Sequence, residues 1–189
     1  MPAPDPADLG PLAPLAGTWE GTDGLDVAFH NAKGVVGETP YRERVVMNPF
    51  GPVENGTQVL YGLDYRMSAW RLDEDEPFHT ECGYWLWDAA DGQVLRSFMV
   101  PRGSTILAGG QAVADSTEMV LEAHAGSETH GILSNAYLAA QARATTYSCT
   151  ITVHGPDSWS YDETTMIEVA RLAEPLAHTD RNTLHRVAD

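Results

Sequence analysis

Cysteine is scarce in this chain of 189 residues, which contains only Cys82 and Cys149. Two cysteines that form no Cys-x-x-Cys pair do not make a disulfide framework, so we expect free, buried thiols in a reducing compartment. No apolar run reaches the roughly 20 residues of a membrane-spanning helix. The first residues also lack the basic start and apolar centre of a signal peptide. Together these absences predict a cytoplasmic protein.

Basic residues are few as well. The chain has 11 Lys and Arg against 27 Asp and Glu, which gives a formal net charge of -16. Such a charge repels phosphate backbones and anionic lipid headgroups, which argues against nucleic acid and membrane surfaces as partners. Gly-x-Ser-x-Gly, P-loop and dinucleotide-binding motifs are also missing. No catalytic residue can therefore be assigned, and whether the protein is an enzyme stays open, with a binding role favoured.

Period-two alternation, with one apolar face and one mixed face, dominates the chain. The clearest run extends from Val59 to Trp70, and similar runs recur around residues 41–47, 119–125, 147–153 and 159–169. Period-two alternation predicts strands with one face on a core and the other facing water. The inward residues most suited to line a cavity are Tyr61, Leu63, Tyr65, Met67, Met119, Leu121, Tyr147 and Ile151.

The strand-like runs are separated by turn signals rich in Gly, Pro, Asn and Asp. A meander of about ten strands must close or leave long unpaired edges. We therefore predict an all-β fold, a closed antiparallel up-and-down barrel with one or two short helices, at Val35–Thr39 and Ile132–Gln141. A barrel of eight or more strands has room for one small ligand.

The predicted organisation is one domain preceded by a short lead-in. Residues 1–11 are rich in Pro, Ala and Asp and predict a flexible N-terminal segment, whereas residues 12–189 carry the barrel. The connection Gly24–Pro40 is long for a hairpin and is interpreted as a loop.

Four stretches of the chain resemble the nitrobindin family, which is similar in architecture to fatty-acid-binding proteins and lipocalins. The first is a Gly-x-Trp-x-Gly signature followed by two further residues, and the second is Pro77–Trp85, similar to the family's Pro-Leu-His-Ser-Glu-Thr-Gly-Tyr. The others are the turn 101–103 and the closing segment 175–186. The signature residues are Gly17, Thr18, Trp19, Glu20, Gly21, Thr22 and Asp23.

The resemblance implies a barrel that holds haem b, with one axial histidine from the last strand. It also implies nitric-oxide binding or isomerisation of peroxynitrite to nitrate. This chain departs from the family pattern, since Asp23 replaces the final glycine of the signature and Thr179 occupies the position of the axial histidine. His178 lies one residue earlier, and a one-residue shift turns a strand side chain to the opposite face. We therefore expect His178 to face away from the iron unless a bulge corrects it.

Three functional hypotheses follow. The first is a nitrobindin-like barrel that binds a hydrophobic small molecule in its interior, without an assigned cofactor or metal. The second is a ferric haem protein that binds nitric oxide or isomerises peroxynitrite, with His178 as axial ligand. The third is an interaction module in which Phe29, Val35 and Val36 either cover a sheet edge or dock a second copy, the latter giving a homodimer.

Other histidines carry weaker patterns. His124 and His130, with Glu122 and Glu128, would share a strand face suited to a metal ion, but the glycine at 126 is expected to break that strand. His79 stands two residues from Glu81 and is interpreted as one half of a structural pair.

Overall fold

The alternation along the sequence is realised as eleven β-strands in the computed structural model, which describes residues 3–187. A 3-10 helix, Pro6–Leu15, precedes the strands, and one α-helix, α1 (Ala136–Gln141), lies between β8 and β9. The strands are β1 Gly17–His30, β2 Val35–Asn55, β3 Gln58–Arg71, β4 His79–Asp88, β5 Gln93–Val100, β6 Ser104–Gln111, β7 Glu118–Ala125, β8 Gly131–Ser134, β9 Ala142–Gly155, β10 Ser158–Val169 and β11 Leu176–Arg186. Residues 1, 2, 188 and 189, which belong to the predicted lead-in and to the end of the predicted barrel domain, lie outside the described residues.

The strands form one closed barrel in the order β1-β11-β10-β9-β7-β8-β6-β5-β4-β3-β2, and β1 pairs with both β2 and β11. Neighbouring strands among the described residues run antiparallel, except for a short parallel pairing of β7 with β8. The predicted all-β closed barrel is confirmed. It has eleven strands where about ten were predicted, and one pairing is parallel.

The segment predicted as a first short helix is instead part of a long hairpin. Val35 begins β2 and pairs with His30 of β1, and Val36 pairs with Phe29. Pairing with β1 makes this segment a strand although it lacks alternation, and its two consecutive β-branched residues are compatible with that. Gly24–Pro40 is therefore a β-hairpin with a turn at residues 31–34, not a loop.

The second predicted helix is present in part. The α-helix covers the last six residues of the predicted segment, whereas its first residues, Ile132–Ser134, lie in β8. The helix begins at a capping residue, Asn135, whose side chain accepts a hydrogen bond from the backbone N–H of Leu138 at 2.9 Å.

The N-terminal 3-10 helix packs against β3 and β4 and covers one end of the barrel. Leu9, Leu12 and Leu15 of this helix are buried in the core. The indole N–H of Trp19 donates to the carbonyl of Leu15 at 2.8 Å, which ties the helix to the first strand. Residues 6–11 of the predicted lead-in are thus packed on the barrel.

The two cysteines have different surroundings. Cys149 is buried in the barrel interior, whereas Cys82 is exposed. The expectation that both thiols are buried is wrong for Cys82, because it lies on the outer face of β4 beside the inward Glu81. No described helix is long and apolar enough to cross a membrane.

Candidate functional site

An arginine lies at the centre of the barrel interior. Arg96 of β5 is 5% exposed and donates to Glu81 of β4 at 2.8 Å and to Glu163 of β10 at 2.7 Å. Its guanidinium carbon lies 4.3 Å from the ring centre of Phe98, so aromatic surface covers part of the charge. The guanidinium group therefore joins opposite walls of the barrel.

Each of these carboxylates also accepts a hydrogen bond from a tyrosine. The hydroxyl of Tyr65 donates to Glu81 at 2.6 Å, and that of Tyr147 donates to Glu163 at 2.8 Å. Burial alone would raise the pKa of Glu81, but the charge of Arg96 and the contacts with His79 and Tyr65 lower this pKa to about 2. Glu81 is thus held in its ionised form within this central cluster.

A second row of polar groups lies beside this cluster, and we call it the carboxyl–tyrosine chain; its members are Glu43, Tyr161, Tyr41 and Asp180. The hydroxyl of Tyr161 contacts Glu43 Oε2 at 2.6 Å and the hydroxyl of Tyr41 at 2.7 Å. Tyr41 in turn contacts Asp180 Oδ1. Hydrogen bonds between side chains thus link β2 with β10 and β11.

Both carboxyl groups at the ends of this chain hold protons more tightly than usual. Burial raises the pKa of Glu43 to about 8, with further contributions from the charges of Asp180 and Glu81. Burial and the charge of Glu163 raise the pKa of Asp180 to about 7. This region of the interior is therefore partly protonated near neutral pH.

The interior leaves a cavity of about 20 Å³. A buried water needs roughly 10–15 Å³ of such space, so the cavity holds one water-sized molecule. It lies between the central cluster and the carboxyl–tyrosine chain. Its lining residues are Glu43, Val45, Met47, Tyr65, Met67, Trp85, Arg96, Cys149, Ile151, Trp159, Tyr161, Glu163 and Asp180.

Most of the unpaired buried polar atoms belong to residues that line this cavity. Within residues 3–187, five buried side-chain atoms lack a hydrogen-bond partner, and four of them belong to lining residues. Three of these four are N–H donors and one is a carboxyl oxygen. The atoms are Trp85 Nε1, Trp159 Nε1, Arg96 Nε and Glu43 Oε1. Since an unpaired buried polar group costs about 1–3 kcal/mol, a small polar molecule in the cavity would be stabilised.

His178 lies on the inner face of β11, contrary to the prediction from its position. It alternates with Thr179 and shares its face with Asp180, Asn182 and Leu184, of which the last two are buried. The pairing of β10 with β11 shows no register shift, so His178 needs no bulge to face inward.

The surroundings of His178 do not fit an axial haem ligand. Its Nε2 lies 2.7 Å from Asp26 Oδ1. Burial alone would lower the pKa of His178, but the hydrogen bond and charge of Asp26 raise it, which favours the imidazolium form. A metal ligand must be neutral imidazole. The cavity of about 20 Å³ is also too small for a macrocycle.

The residues expected to line a cavity divide into two groups. Tyr65, Met67 and Ile151 line the cavity. The side chains of Leu63, Met119, Leu121 and Tyr147 are buried in the surrounding core, and Tyr61 is half-buried at its edge.

The signature residues differ in their surroundings. Trp19 is fully buried and packs edge-to-face on Trp159. Gly21 is surrounded so closely that a Cβ atom there would lie 2.6 Å from the carbonyl oxygen of Thr183. Thr22 and Asp23 are exposed where β1 bulges away from both neighbouring strands.

The other histidine patterns give no metal site. No group of three or more candidate ligands lies together in the part of the chain that the structure describes. His124 is exposed and His130 lies beyond the turn after β7. His79 contacts Glu81 at 3.1 Å and so extends the central cluster toward the surface.

The central polar residues were missed by the sequence reasoning, although a signal was present. Glu43 lies between Tyr41 and Val45 in the inward register, and Glu163 lies between Tyr161 and Thr165 in the same way. A charged residue at an inward position of an apolar run indicates a buried ion pair or a site.

Comparison with known proteins agrees with this architecture. A family model described as "THAP4-like, heme-binding beta-barrel domain" matches residues 8–186. The chain belongs to this family. The resemblance to nitrobindins is therefore confirmed.

This chain is also similar to one curated protein in sequence and to one solved structure in fold. The peroxynitrite isomerase of Leifsonia xyli subsp. xyli (strain CTCB07) is 37% identical over 86 residues, which are 45% of this chain and 38% of that relative. The chain thus matches well under two thirds of that relative's length. The crystal structure of Rv2717c from M. tuberculosis superposes with a TM-score of 0.66 at 21% identity, covering 94% of this chain and 95% of the other.

Proposed function

We propose that this member of the haem-binding barrel family functions without haem and binds one small hydrogen-bond acceptor inside its barrel. The observation that carries the proposal is a cavity of about 20 Å³ whose lining residues carry three N–H donors and one carboxyl oxygen without partners among the described residues. A guest that accepts hydrogen bonds satisfies the donors of Arg96, Trp85 and Trp159.

The chemistry of the interior favours this guest over the hydrophobic molecule first expected. Drug-sized ligands occupy pockets of about 300–1,000 Å³, far larger than this cavity. An apolar guest would also leave the donors unpaired beside Arg96, at the desolvation cost that a polar guest avoids.

The absence of haem is supported by the same geometry. His178 is hydrogen-bonded to Asp26, and the charge of Asp26 favours its protonated form. The peroxynitrite isomerase relative covers less than half of this chain, so its activity does not transfer as a whole.

Haemin titration tests the proposal that the protein functions without haem. Addition of haemin to the purified full chain is expected to give no sharp Soret band, and His178→Ala is expected to change nothing. A sharp band that His178→Ala abolishes would instead support the ferric haem protein with His178 as ligand.

Fluoride, a hydrogen-bond acceptor about the size of water, is the probe for the proposed binding of a small acceptor in the cavity. Its binding is expected to shift the indole N–H resonances of Trp85 and Trp159, but not that of Trp70 outside the cavity, which stacks on Arg42. Trp159→Phe removes one donor and is expected to weaken fluoride binding about tenfold. Trp70→Phe serves as the matched control and leaves the affinity unchanged. Equal shifts at all indoles, or no shift, would contradict an interior site.

A further inference from the structure

We propose that Glu43 and Asp180 share a single proton through the two tyrosines between them, and that this proton rests on Glu43 when an anionic guest occupies the cavity. The inference rests on the proposed function and adds the protonation state in which that site binds its ligand.

A count of hydrogens in the carboxyl–tyrosine chain carries the proposal. The chain contains three oxygen–oxygen contacts, from Glu43 to Tyr161, from Tyr161 to Tyr41, and from Tyr41 to Asp180. Each contact needs one hydrogen, and the two hydroxyl groups supply two. The third hydrogen must come from a carboxyl group, so one of the two end groups is a carboxylic acid when all three bonds are made.

Two arrangements satisfy this count. In one, Glu43 donates to Tyr161, Tyr161 to Tyr41, and Tyr41 to an ionised Asp180. In the other, Asp180 donates to Tyr41, Tyr41 to Tyr161, and Tyr161 to an ionised Glu43. Conversion of the second into the first breaks three O–H bonds and forms three, and its net result is one proton moved from Asp180 to Glu43.

The charges around the two ends decide between the arrangements. Asp180 faces Glu163, Asp26 and His178, whereas Glu43 faces Glu81, Asp180 and the amide of Asn182. The pKa of both carboxyl groups is raised, first by burial. An anion beside Glu43 repels a carboxylate there and so favours the arrangement in which Glu43 is neutral.

Infrared spectroscopy counts the protonated carboxyl groups directly. At about pH 7.5, between the two pKa values, the wild type is expected to show the C=O stretching intensity of one buried carboxylic acid. Asp180→Asn is expected to remove it, because the amide N–H supplies the third hydrogen and leaves Glu43 ionised. Tyr161→Phe in that background breaks the chain and is expected to restore a protonated Glu43, which an effect of the Asp180 charge alone would not do.

Fluoride affinity provides the functional readout in the same proteins. Asp180→Asn is expected to weaken fluoride binding at least tenfold, and the added Tyr161→Phe to recover most of that loss. Tyr137→Phe alters an exposed tyrosine and is expected to behave like the wild type.

The outcomes separate the two proposals. Two protonated carboxyl groups in the wild type, or an infrared band that survives Asp180→Asn, would overturn the shared proton. Fluoride binding that is unchanged by Asp180→Asn would keep the proposed function and remove the coupling. If fluoride does not bind, the proposed function fails, and the carboxyl count in the free protein still decides whether the proton is shared.

Discussion

Arg96 is the residue on which the interior depends most, because one guanidinium group compensates the buried carboxylate of Glu81 and the part-buried carboxylate of Glu163. Arg96→Met keeps the aliphatic length but leaves Glu81 and Glu163 without their cation. Breaking a buried ion pair by removal of one partner costs about 3–5 kcal/mol. We expect a loss of that size in the free energy of unfolding, measured by urea denaturation.

An exposed arginine provides the control for this substitution. Arg44 pairs with Glu20 at the surface, where both side chains are about half exposed. Arg44→Met is expected to cost less than about 1 kcal/mol. Similar losses for the two variants would show that the central cluster is no more than a surface-like pair.

The raised pKa values of Glu43 and Asp180 predict how stability depends on pH. Both groups bind protons more tightly in the folded chain than in the unfolded chain, whose carboxyl groups titrate near 4. Their contribution is therefore fully present below pH 4 and is lost as the pH rises through about 7 to 8. We expect the free energy of unfolding to fall by a few kcal/mol from pH 5 to pH 8, at about 1.4 kcal/mol per pKa unit.

Substitutions identify which groups cause this fall of the free energy of unfolding with pH. Asp180→Asn is expected to flatten the decline between pH 5 and pH 8 in urea titrations, whereas Asp162→Asn, at an exposed site, leaves it unchanged. A slope that persists in Asp180→Asn would assign the pH dependence to other groups. His79 and His178 act in the same direction, because their pKa values are also raised.

At the scale of single elements, the N-terminal 3-10 helix is expected to stabilise the barrel. Leu12 is fully buried, although its helix contains three prolines and a glycine, which have low helical propensity. Leu12→Ala removes buried surface and leaves a cavity, which costs about 2–5 kcal/mol. Thermal and urea unfolding should both show this loss.

A leucine outside the core calibrates that result. Leu72 is 52% exposed in the turn after β3, and Leu72→Ala is expected to change stability by less than about 0.5 kcal/mol. A loss at Leu12 as small as that at Leu72 would mean that the helix is only loosely attached.

The elements also show what the sequence could predict. The run from Val59 to Trp70 coincides with β3, because local alternation and turn residues specify a strand without tertiary information. The prediction of a helix at Val35–Thr39 was wrong, because this strand is stabilised by pairing with β1, which the local sequence pattern does not show. The prediction that His178 faces outward was wrong for a related reason. The face on which His178 lies depends on the register of β11 and not on its distance along the sequence from Leu184.

The cluster around Arg96 was beyond sequence reasoning for a physical reason. Glu81, Arg96 and Glu163 come from β4, β5 and β10, and only closure of the barrel brings β10 opposite the other two. The charges of these residues at inward positions depart from the apolar pattern of their strands. The pattern does not show, however, which charged residues pair with each other.

At the scale of the whole molecule, the net charge of -16 opposes compaction. Salt screens this repulsion, with a Debye length near 10 Å at 0.1 M. We expect that raising sodium chloride from about 0.01 to 0.5 M increases the free energy of unfolding by about 1 kcal/mol. For a chain of this size, this corresponds to an increase of roughly 2–4 °C in Tm.

Differential scanning calorimetry measures this change. Sucrose at equal osmolality stabilises proteins without screening charge and so separates the two effects. A Tm that falls with salt would indicate that the ion pairs, rather than the repulsion, dominate the electrostatic energy.

Closure of the barrel by β1 and β11 has a consequence for chain connectivity. The backbone N–H of Val187 donates to the carbonyl of Thr18 at 2.9 Å, so the start of the first strand and the end of the last lie side by side. A linker that leaves the 3-10 helix in place could join the two ends of the barrel, and new termini could be opened at the exposed turn around Gly56, where no side chain or backbone atom crowds the glycine. Such a circular permutant should retain the same barrel, since strand order around a closed cylinder does not depend on where the chain is cut.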